Sequence, residues 1–240
     1  MRLDQRLVEL GLAPSRARAR ALIEAGAVTV DGAVARKPSQ TVAGSAKLVV
    51  TEGPNPWVSR GALKLNHALD HFGLTPSGIA LDLGASTGGF TQVLLARGAE
   101  RVYAVDVGHG QLVAALAEDP RVESLEGVNA RALPDARIPP VDWITADLAF
   151  ISLTKALPAA LDLAKPEAVL VALIKPQFEA GRAAIGRGGI VRDAQVHARV
   201  TVEIADWLTA RGWQVTGVIP SPIEGGDGNR EFLIAARKPD

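Results

Sequence analysis

The sequence predicts an α/β fold: a seven-stranded, doubly wound, mostly parallel sheet preceded by a small α+β domain. Three observations carry this. Short apolar runs at 79–83, 102–105, 142–146 and 168–174 recur between helical patterns. They lack in–out alternation, as strands do when helices cover both faces of a parallel sheet. A glycine turn, Gly84-Ala85-Ser86-Thr87-Gly88-Gly89, joins the first run to a helical pattern over 89–97, and Asp106 closes the next run. That acid stands roughly 20 residues after the first glycine, where such folds set a carboxylate against ribose hydroxyls. Finally, residues 1–50 carry eight Arg/Lys against four Asp/Glu in a chain of net charge zero, so a basic head precedes an acidic body.

At 240 residues and 48% hydrophobic content the chain can bury a substantial core. It has no cysteine, which excludes disulfides and zinc–thiolate sites and fits a reducing cytoplasm. The start, Met-Arg-Leu-Asp-Gln-Arg, has no apolar run of the signal-peptide kind. The longest strongly apolar run, near 168–174, is far short of the ~20 residues that span a bilayer. The expectation is a cytoplasmic protein with no membrane partner; the oligomeric state stays open, a monomer included. A basic head suits a polyanion, although charge alone fits a solvated, Arg-rich small domain equally.

In the head, Leu3, Leu7 and Leu10 mark a helix over 3–11. Pro14-Ser15 starts a second over 16–25, with Ser15 as N-cap and Gly26 as its end. Arg16 and Arg20 share one face at i, i+4, while Ala19, Leu22 and Ile23 turn inward. Val28-Thr29-Val30 and Val34 flank Asp31-Gly32, a hairpin signal, and 47–50 form another strand. Candidate phosphate contacts are Arg6, Arg16, Arg18, Arg20, Arg36 and Lys37, since the guanidinium fork binds phosphate bidentately. Pro54 and Pro56 mark a linker, giving domains 1–52 and 59–240 joined by 53–58.

The second domain opens with a helix over 59–72 whose inner face is Leu63, His67 or Leu69, and Phe72. Lys64 in its middle would ordinarily be solvated, and the i, i+4 pair His67/His71 reads as helix packing rather than a metal site. Further along come a glycine loop at 107–110, helices to 118 and over 153–163, and a strand at 122–125. Residues 177–193 form a glycine-rich loop with Arg182, Arg187 and Arg192, either a basic lid suited to RNA or a plain surface loop. A helix over 194–211 and two strands, 215–219 and 231–236, plausibly antiparallel, close the chain.

The turn reads Asp82-x-Gly84-x-x-x-Gly88-Gly89. It lacks the glycine pair of a dinucleotide fingerprint, because Ala85 separates Gly84 from Ser86, and no Gly-Lys-Ser/Thr follows. It looks like the first motif of an S-adenosylmethionine (SAM) methyltransferase; spacing alone leaves a dinucleotide or a packing turn open. Four charged residues, Lys64, Asp147, Lys175 and Glu231, fall at sheet edges or facing the switch point, where open α/β sheets bind ligands. In that order they resemble the tetrad of FtsJ-type ribose 2′-O-methyltransferases. Val58-Ser-Arg-Gly-Ala-Leu-Lys-Leu65, Asp82-Leu-Gly-Ala-Ser-Thr-Gly-Gly-Phe-Thr91, Ile174-Lys-Pro-Gln-Phe-Glu179 and Gly228-Asn-Arg-Glu-Phe232 resemble the TlyA family, and residues 2–50 resemble an S4 RNA-binding domain.

The resemblance implies a SAM-dependent methyltransferase acting on a ribose 2′-hydroxyl, a cytidine's, in ribosomal RNA or a ribosomal subunit. The short termini look like the form that acts on the large subunit. It implies catalytic roles for Lys64, Asp147, Lys175 and Glu231. Asp82, Gly84, Ser86, Thr87, Gly88, Gly89, Phe90, Asp106, Asn129 and Asp147 would hold the cofactor, with Gly84, Ser86 and Gly88 along the methionine and sugar. Arg60, Arg182 and Arg187 would join the head's cations on RNA. No metal is implied. Lys175 can take the hydroxyl proton only when neutral; burial and a cation such as Lys64 favour that form, while Asp147 and Glu231 oppose it. The family's usual Asp-Val-Ser-Phe is here Asp147-Leu148-Ala149-Phe150, without the hydroxyl. The competing readings are an RNA-binding assembly factor with a vestigial SAM fold and, disfavoured, a membrane-acting haemolysin.

Overall fold

The computed structural model describes residues 1–240 except 25, 51–56, 134, 136 and 227, and of Arg187 only the backbone. Two compact units form, Met1–Pro56 and Trp57–Asp240. In the first, α1 (Leu3–Glu9) and α2 (Arg16–Glu24) share a core with β1 (Val28–Val30), β2 (Ala33–Val34) and β3 (Leu48–Val50). The strands pair antiparallel in the order β2–β1–β3. Ser15 Oγ accepts from the Arg18 N–H at 3.2 Å, satisfying an otherwise unpaired donor of the first turn. Asp31 and Gly32 have φ of +50° and +85°, the two left-handed residues that a type I′ hairpin requires.

Most of the expected linker, 53–58, lies outside the described residues. Trp57 packs half-buried on the core of the second unit, and the Val58 N–H donates to Gln92 Oε1 at 2.8 Å.

The second unit comprises α3 (Gly61–Phe72), β4 (Ile79–Leu83), α4 (Gly89–Arg97), β5 (Arg101–Asp106), α5 (Ala114–Ala117), β6 (Val122–Glu126) and β7 (Val141–Ala146). Then follow α6 (Leu153–Ala156), α7 (Pro158–Leu161), β8 (Ala164–Ile174), α8 (Pro176–Glu179), α9 (Ala194–Ala210), β9 (Gln214–Pro220) and β10 (Phe232–Arg237). The sheet runs β6–β5–β4–β7–β8–β10–β9 and is parallel except for β10, which is antiparallel to both neighbours. Leu81, Leu83, Val105 and Ile144 are buried under α6, α7 and α9, whereas Ala80, Val102, Ala104 and Trp143 are buried under α3 and α4. Two covered faces explain the unbroken apolar runs, each buried Leu or Ile contributing about 1.5–3 kcal/mol.

Three expectations need correction. The inner face of α3 is Ala62, Leu65, Ala68 and Leu69, while Leu63 is exposed, because the helix turns Lys64 inward. The single helix over 153–163 is two short ones, since Pro158 has no N–H to continue the ladder. Strand β8 starts at Ala164, four residues early. Its polar start Lys165-Pro166-Glu167 is absorbed by a register shift opposite Val141–Trp143, with Glu167 at φ +64°. Among the described residues no helix is long and apolar enough to cross a membrane.

Candidate active site

Strand order reverses at β4, between β5 and β7, and the glycine turn leaves β4 at that point. The N–H groups of Gly84 and Ala85 donate to the Val105 carbonyl at 2.8 and 3.1 Å, stitching the turn to β5. Gly84 has φ +80°, and a Cβ there would lie 2.5 Å from the Asp147 carbonyl oxygen, so only glycine lets the two chain segments approach. Asp106 accepts from the Ser86 N–H at 2.8 Å through one oxygen and from the Gly108 N–H at 2.7 Å through the other. Both oxygens keep a lone pair for a ligand. Glu126 accepts from the N–H groups of Gly110, Gln111 and Leu112, which hold its carboxyl below the usual range and fix the 107–112 loop.

A cavity of about 650 Å³ opens above this floor. Its lining includes Gly84, Ser86, Asp106, Asn129, Asp147 and Lys175, with Val107, Val128 and Leu148 as apolar walls. A smaller one of about 200 Å³ shares Gly84, Ser86 and Asp147 and adds Arg60, Lys64, Thr87, Gly89 and Phe90.

Sheet pairing gathers the tetrad. Asp147 follows β7, Lys175 follows β8 and Glu231 precedes β10. Because Phe232 pairs with Ile174, Glu231 falls opposite Lys175 in register. Lys64 reaches in from α3. The result is two ion pairs: Lys64 Nζ to Glu231 Oε2 at 2.6 Å, with both side chains 10% exposed or less, and Lys175 Nζ to Asp147 Oδ1 at 2.6 Å. Asp147 lines both cavities, Lys175 the larger and Lys64 the smaller, so the pairs flank the same junction. Lys64 is therefore not the solvated helix lysine its position suggests. Each amine has a carboxylate of its own, which aims it and offsets the desolvation of its charge.

Two expected cofactor residues are not on the cavity walls. Asp82 is fully buried beneath the turn, accepting from Thr91 Oγ1 at 2.7 Å and Thr145 Oγ1 at 2.9 Å; strand alternation points it toward α4. Burial without a charged donor pushes its carboxyl up to about 6. Gly88 is the N-cap of α4 at φ +99°, pressed by Leu112 and Leu116.

Of the head's cations, Arg6 is engaged by Glu9 at 2.8 Å and Arg16 by Asp4 at 3.3 Å, so these two brace the fold. Arg20, Arg36 and Lys37 are exposed, and Arg18 is half-buried. Arg182 lines a third cavity, and the Arg187 side chain lies outside the described residues.

Several lining residues were not singled out by the sequence: Gln111, Arg131, Phe150 and Phe178. Phe150 is 91% exposed at φ +64°, a conformation a bulky residue rarely holds, and its ring sits 5.3 Å from that of Phe178. Its place three residues after Asp147 was the available signal. Ala149 lines the large cavity where the family's usual hydroxyl is missing. Asn229, 1% exposed, accepts from the Val191 N–H at 3.0 Å and donates to the Gly189 carbonyl at 3.1 Å, fastening the glycine loop beside Glu231.

Comparison with known proteins agrees with this arrangement. Residues 57–238 match the family model of FtsJ-like methyltransferases and residues 1–48 that of the S4 domain. The chain is 48% identical to the 16S/23S rRNA (cytidine-2′-O)-methyltransferase TlyA of Mycobacterium tuberculosis, over 98% of this chain and 89% of that protein. It is 43% identical to YqxC of Bacillus subtilis, named as a candidate rRNA methyltransferase, over 97% of this chain and 84% of that one. A solved structure from Streptococcus thermophilus, described as a candidate hemolysin, is 40% identical with a TM-score of 0.78, covering 100% of this chain and 89% of that one.

Proposed function

The chain belongs to the TlyA family, an S4 domain followed by an FtsJ-like methyltransferase domain, and from that premise we propose that it methylates a ribose 2′-hydroxyl of ribosomal RNA, a cytidine's. The observation that carries the reading is the meeting of two amine–carboxylate pairs at the rim of a cavity suited to SAM.

The fit is chemical. SAM carries a cationic sulfonium and ammonium, a ribose diol and a flat base. The cavity offers Asp106 and Asp147 as carboxylates, Asn129 as an amide, the turn backbone at Gly84 and Ser86, and apolar walls at Val107, Val128 and Leu148. Asp106 would hold the diol, the turn the amino-acid end, and Asn129 with the apolar walls the adenine. When bound, SAM supplies an electrophilic methyl group.

The protein's remaining task is to position and deprotonate a weak nucleophile. Once its own proton has left to solvent, neutral Lys175 takes the hydroxyl proton at Nζ and becomes the ammonium that Asp147 pairs with and keeps aimed at the cavity. Lys64, held by Glu231, places a positive charge beside the developing alkoxide. The head has no aromatic residue anywhere in 1–56, so it offers no aromatic stacking platform; Arg20, Arg36 and Lys37 suit phosphate contacts.

The test is to map 2′-O-methyl sites on both ribosomal RNAs from cells with and without this chain, and to assay labelled SAM on separated subunits. The expected result is a ribose methylation that depends on the chain and on Lys175. RNA binding with no methyl transfer to either subunit would overturn it in favour of an assembly factor.

A further inference from the structure

We propose that the cavity on the far side of Phe150 is a second nucleotide subsite, taking the RNA residue next to the one methylated; this rests on the reading of the chain as an rRNA methyltransferase. The cavity measures about 550 Å³, within the range of built ligand sites. Its lining carries Arg131, Lys155 and Arg182 and no carboxylate. None of the three makes an ion pair with a described residue, although the chain beyond residue 50 is net acidic. A converging, uncompensated cation cluster on an acidic body selects an anion.

The second element is aromatic. Phe150 and Phe178 both line this cavity, their rings 5.3 Å apart and tilted by 51°. Phe150 also lines the larger cavity, so its ring divides the two. Phosphate-binding cations around an aromatic face are the combination that holds a single-stranded nucleotide. None of Lys64, Asp147, Lys175 and Glu231 reaches this cavity, so the reacting sugar does not sit in it. The two cavities share Arg131, Phe150 and Ile151, which puts an occupant within one nucleotide of the reaction.

The third element is Gln177, which lines the cavity and whose Oε1 is buried with no donor. An amide oxygen in that state gains a bond when the side chain turns into the cavity and meets an N–H. Every nucleobase offers at least one N–H on its Watson–Crick edge, an exocyclic amine or a ring imide, so an acceptor here holds a base without choosing among them. Gln177 thereby becomes a base contact for the neighbour, with Phe178 stacking its base and Arg131, Lys155 and Arg182 contacting its phosphates.

The experiment uses the full chain and rRNA transcripts spanning the mapped site. The Lys155→Ala/Arg182→Ala variant is expected to raise KM for RNA about tenfold, with kcat and SAM affinity within twofold. The salt slope of kcat/KM should become shallower by about 1.4, 0.7 for each lost contact to single-stranded RNA. An abasic residue at the neighbouring position should slow the wild type about tenfold and Gln177→Leu several-fold less, because part of the base contact is already missing in the variant. A KM within twofold of wild type, or indifference of the wild type to loss of the neighbouring base, would overturn the subsite while methylation itself persists. Loss of all transfer by the wild type on every transcript would instead remove the methyltransferase reading, and this subsite with it.

Discussion

Two aspartates, one in each unit, have no solvent-exposed surface, and their carboxyls are shifted in opposite directions. Asp4 accepts a bidentate fork from Arg2 at 3.0 and 2.9 Å and a third bond from Arg16 at 3.3 Å. Those guanidinium donors hold its carboxyl down at about 2. Asp82 meets only uncharged donors, the hydroxyls of Thr91 and Thr145 and the Thr91 backbone N–H, and burial pushes it up to about 6. Both side chains are closed to solvent, but Asp82 lies deep in the core while Asp4 lies near the surface under its arginines, so depth differs as well as the charge of the donor. A carboxylate without water is comfortable as an anion only beside a cation. The catalytic edge follows the first pattern twice, pairing Glu231 with Lys64 and Asp147 with Lys175. It differs from the head in one respect: its cations are nearly enclosed, whereas the Arg2 and Arg16 side chains are 43% and 56% exposed.

The hardest break is to delete the amine proposed as the base. Lys175→Ala should lower kcat by about 10²–10⁴-fold while the SAM dissociation constant by calorimetry stays near wild type. Near-normal turnover would reject Lys175 as the base. Next is the enclosed pair. Glu231→Ala leaves the Lys64 ammonium buried without its partner, at a cost of about 3–5 kcal/mol in urea unfolding. Tryptophan fluorescence isolates the catalytic unit, because Trp57, Trp143, Trp207 and Trp213 all lie in it. Replacing both partners, Lys64→Met with Glu231→Leu, should recover much of that stability while activity stays lost. A cost below about 1 kcal/mol for Glu231→Ala would mean that the pair behaves as a surface bridge.

Asp82 sharpens the contrast through pH. Its folded value, about 6, lies above the ordinary 3.8, so the folded chain binds the proton more tightly than the unfolded chain does. Its stabilising contribution is complete below about pH 4 and is lost as pH rises through 6. The full swing is at most about 3 kcal/mol. Asp82→Asn should flatten the fluorescence-detected stability profile between pH 4 and 7. The fold should survive, since rotatable threonine hydroxyls can donate to the amide oxygen and accept from its N–H. An unchanged slope in the variant would assign the titration to another group.

Local patterns were legible where one segment makes its own structure. The Asp31-Gly32 hairpin, the Ser15 start and the bounds of β4 and α4 follow from turn chemistry, capping and apolar runs. The tetrad was legible as four residues at sheet edges, but its pairing was not. Which amine meets which carboxylate depends on β10 lying antiparallel to β8 and on the rotation of α3, and neither is a local property. The same limit explains Leu63, exposed because its neighbour Lys64 turns in, and Asp82, whose motif position suggested ligand contact while the pleat buried it. Phe150 escaped notice because an exposed aromatic at positive φ has no periodic signature.

The smallest effect belongs to the head. Asp4→Asn keeps the shape but removes the charge that two arginines converge on. Because those arginines reach solvent, they rehydrate, and the loss should be about 1–3 kcal/mol rather than the larger cost of an enclosed pair. Asp4 stabilises above about pH 4, and its contribution fades as pH falls toward 2, the reverse of the Asp82 dependence. Hydrogen exchange of peptides from residues 1–50 should therefore quicken in Asp4→Asn at pH 7, while tryptophan-reported unfolding of the catalytic unit does not move. A destabilisation as large as that of Glu231→Ala would show that solvent access to Arg2 and Arg16 does not relieve them, and that enclosure of the cation is not what separates the two kinds of pair.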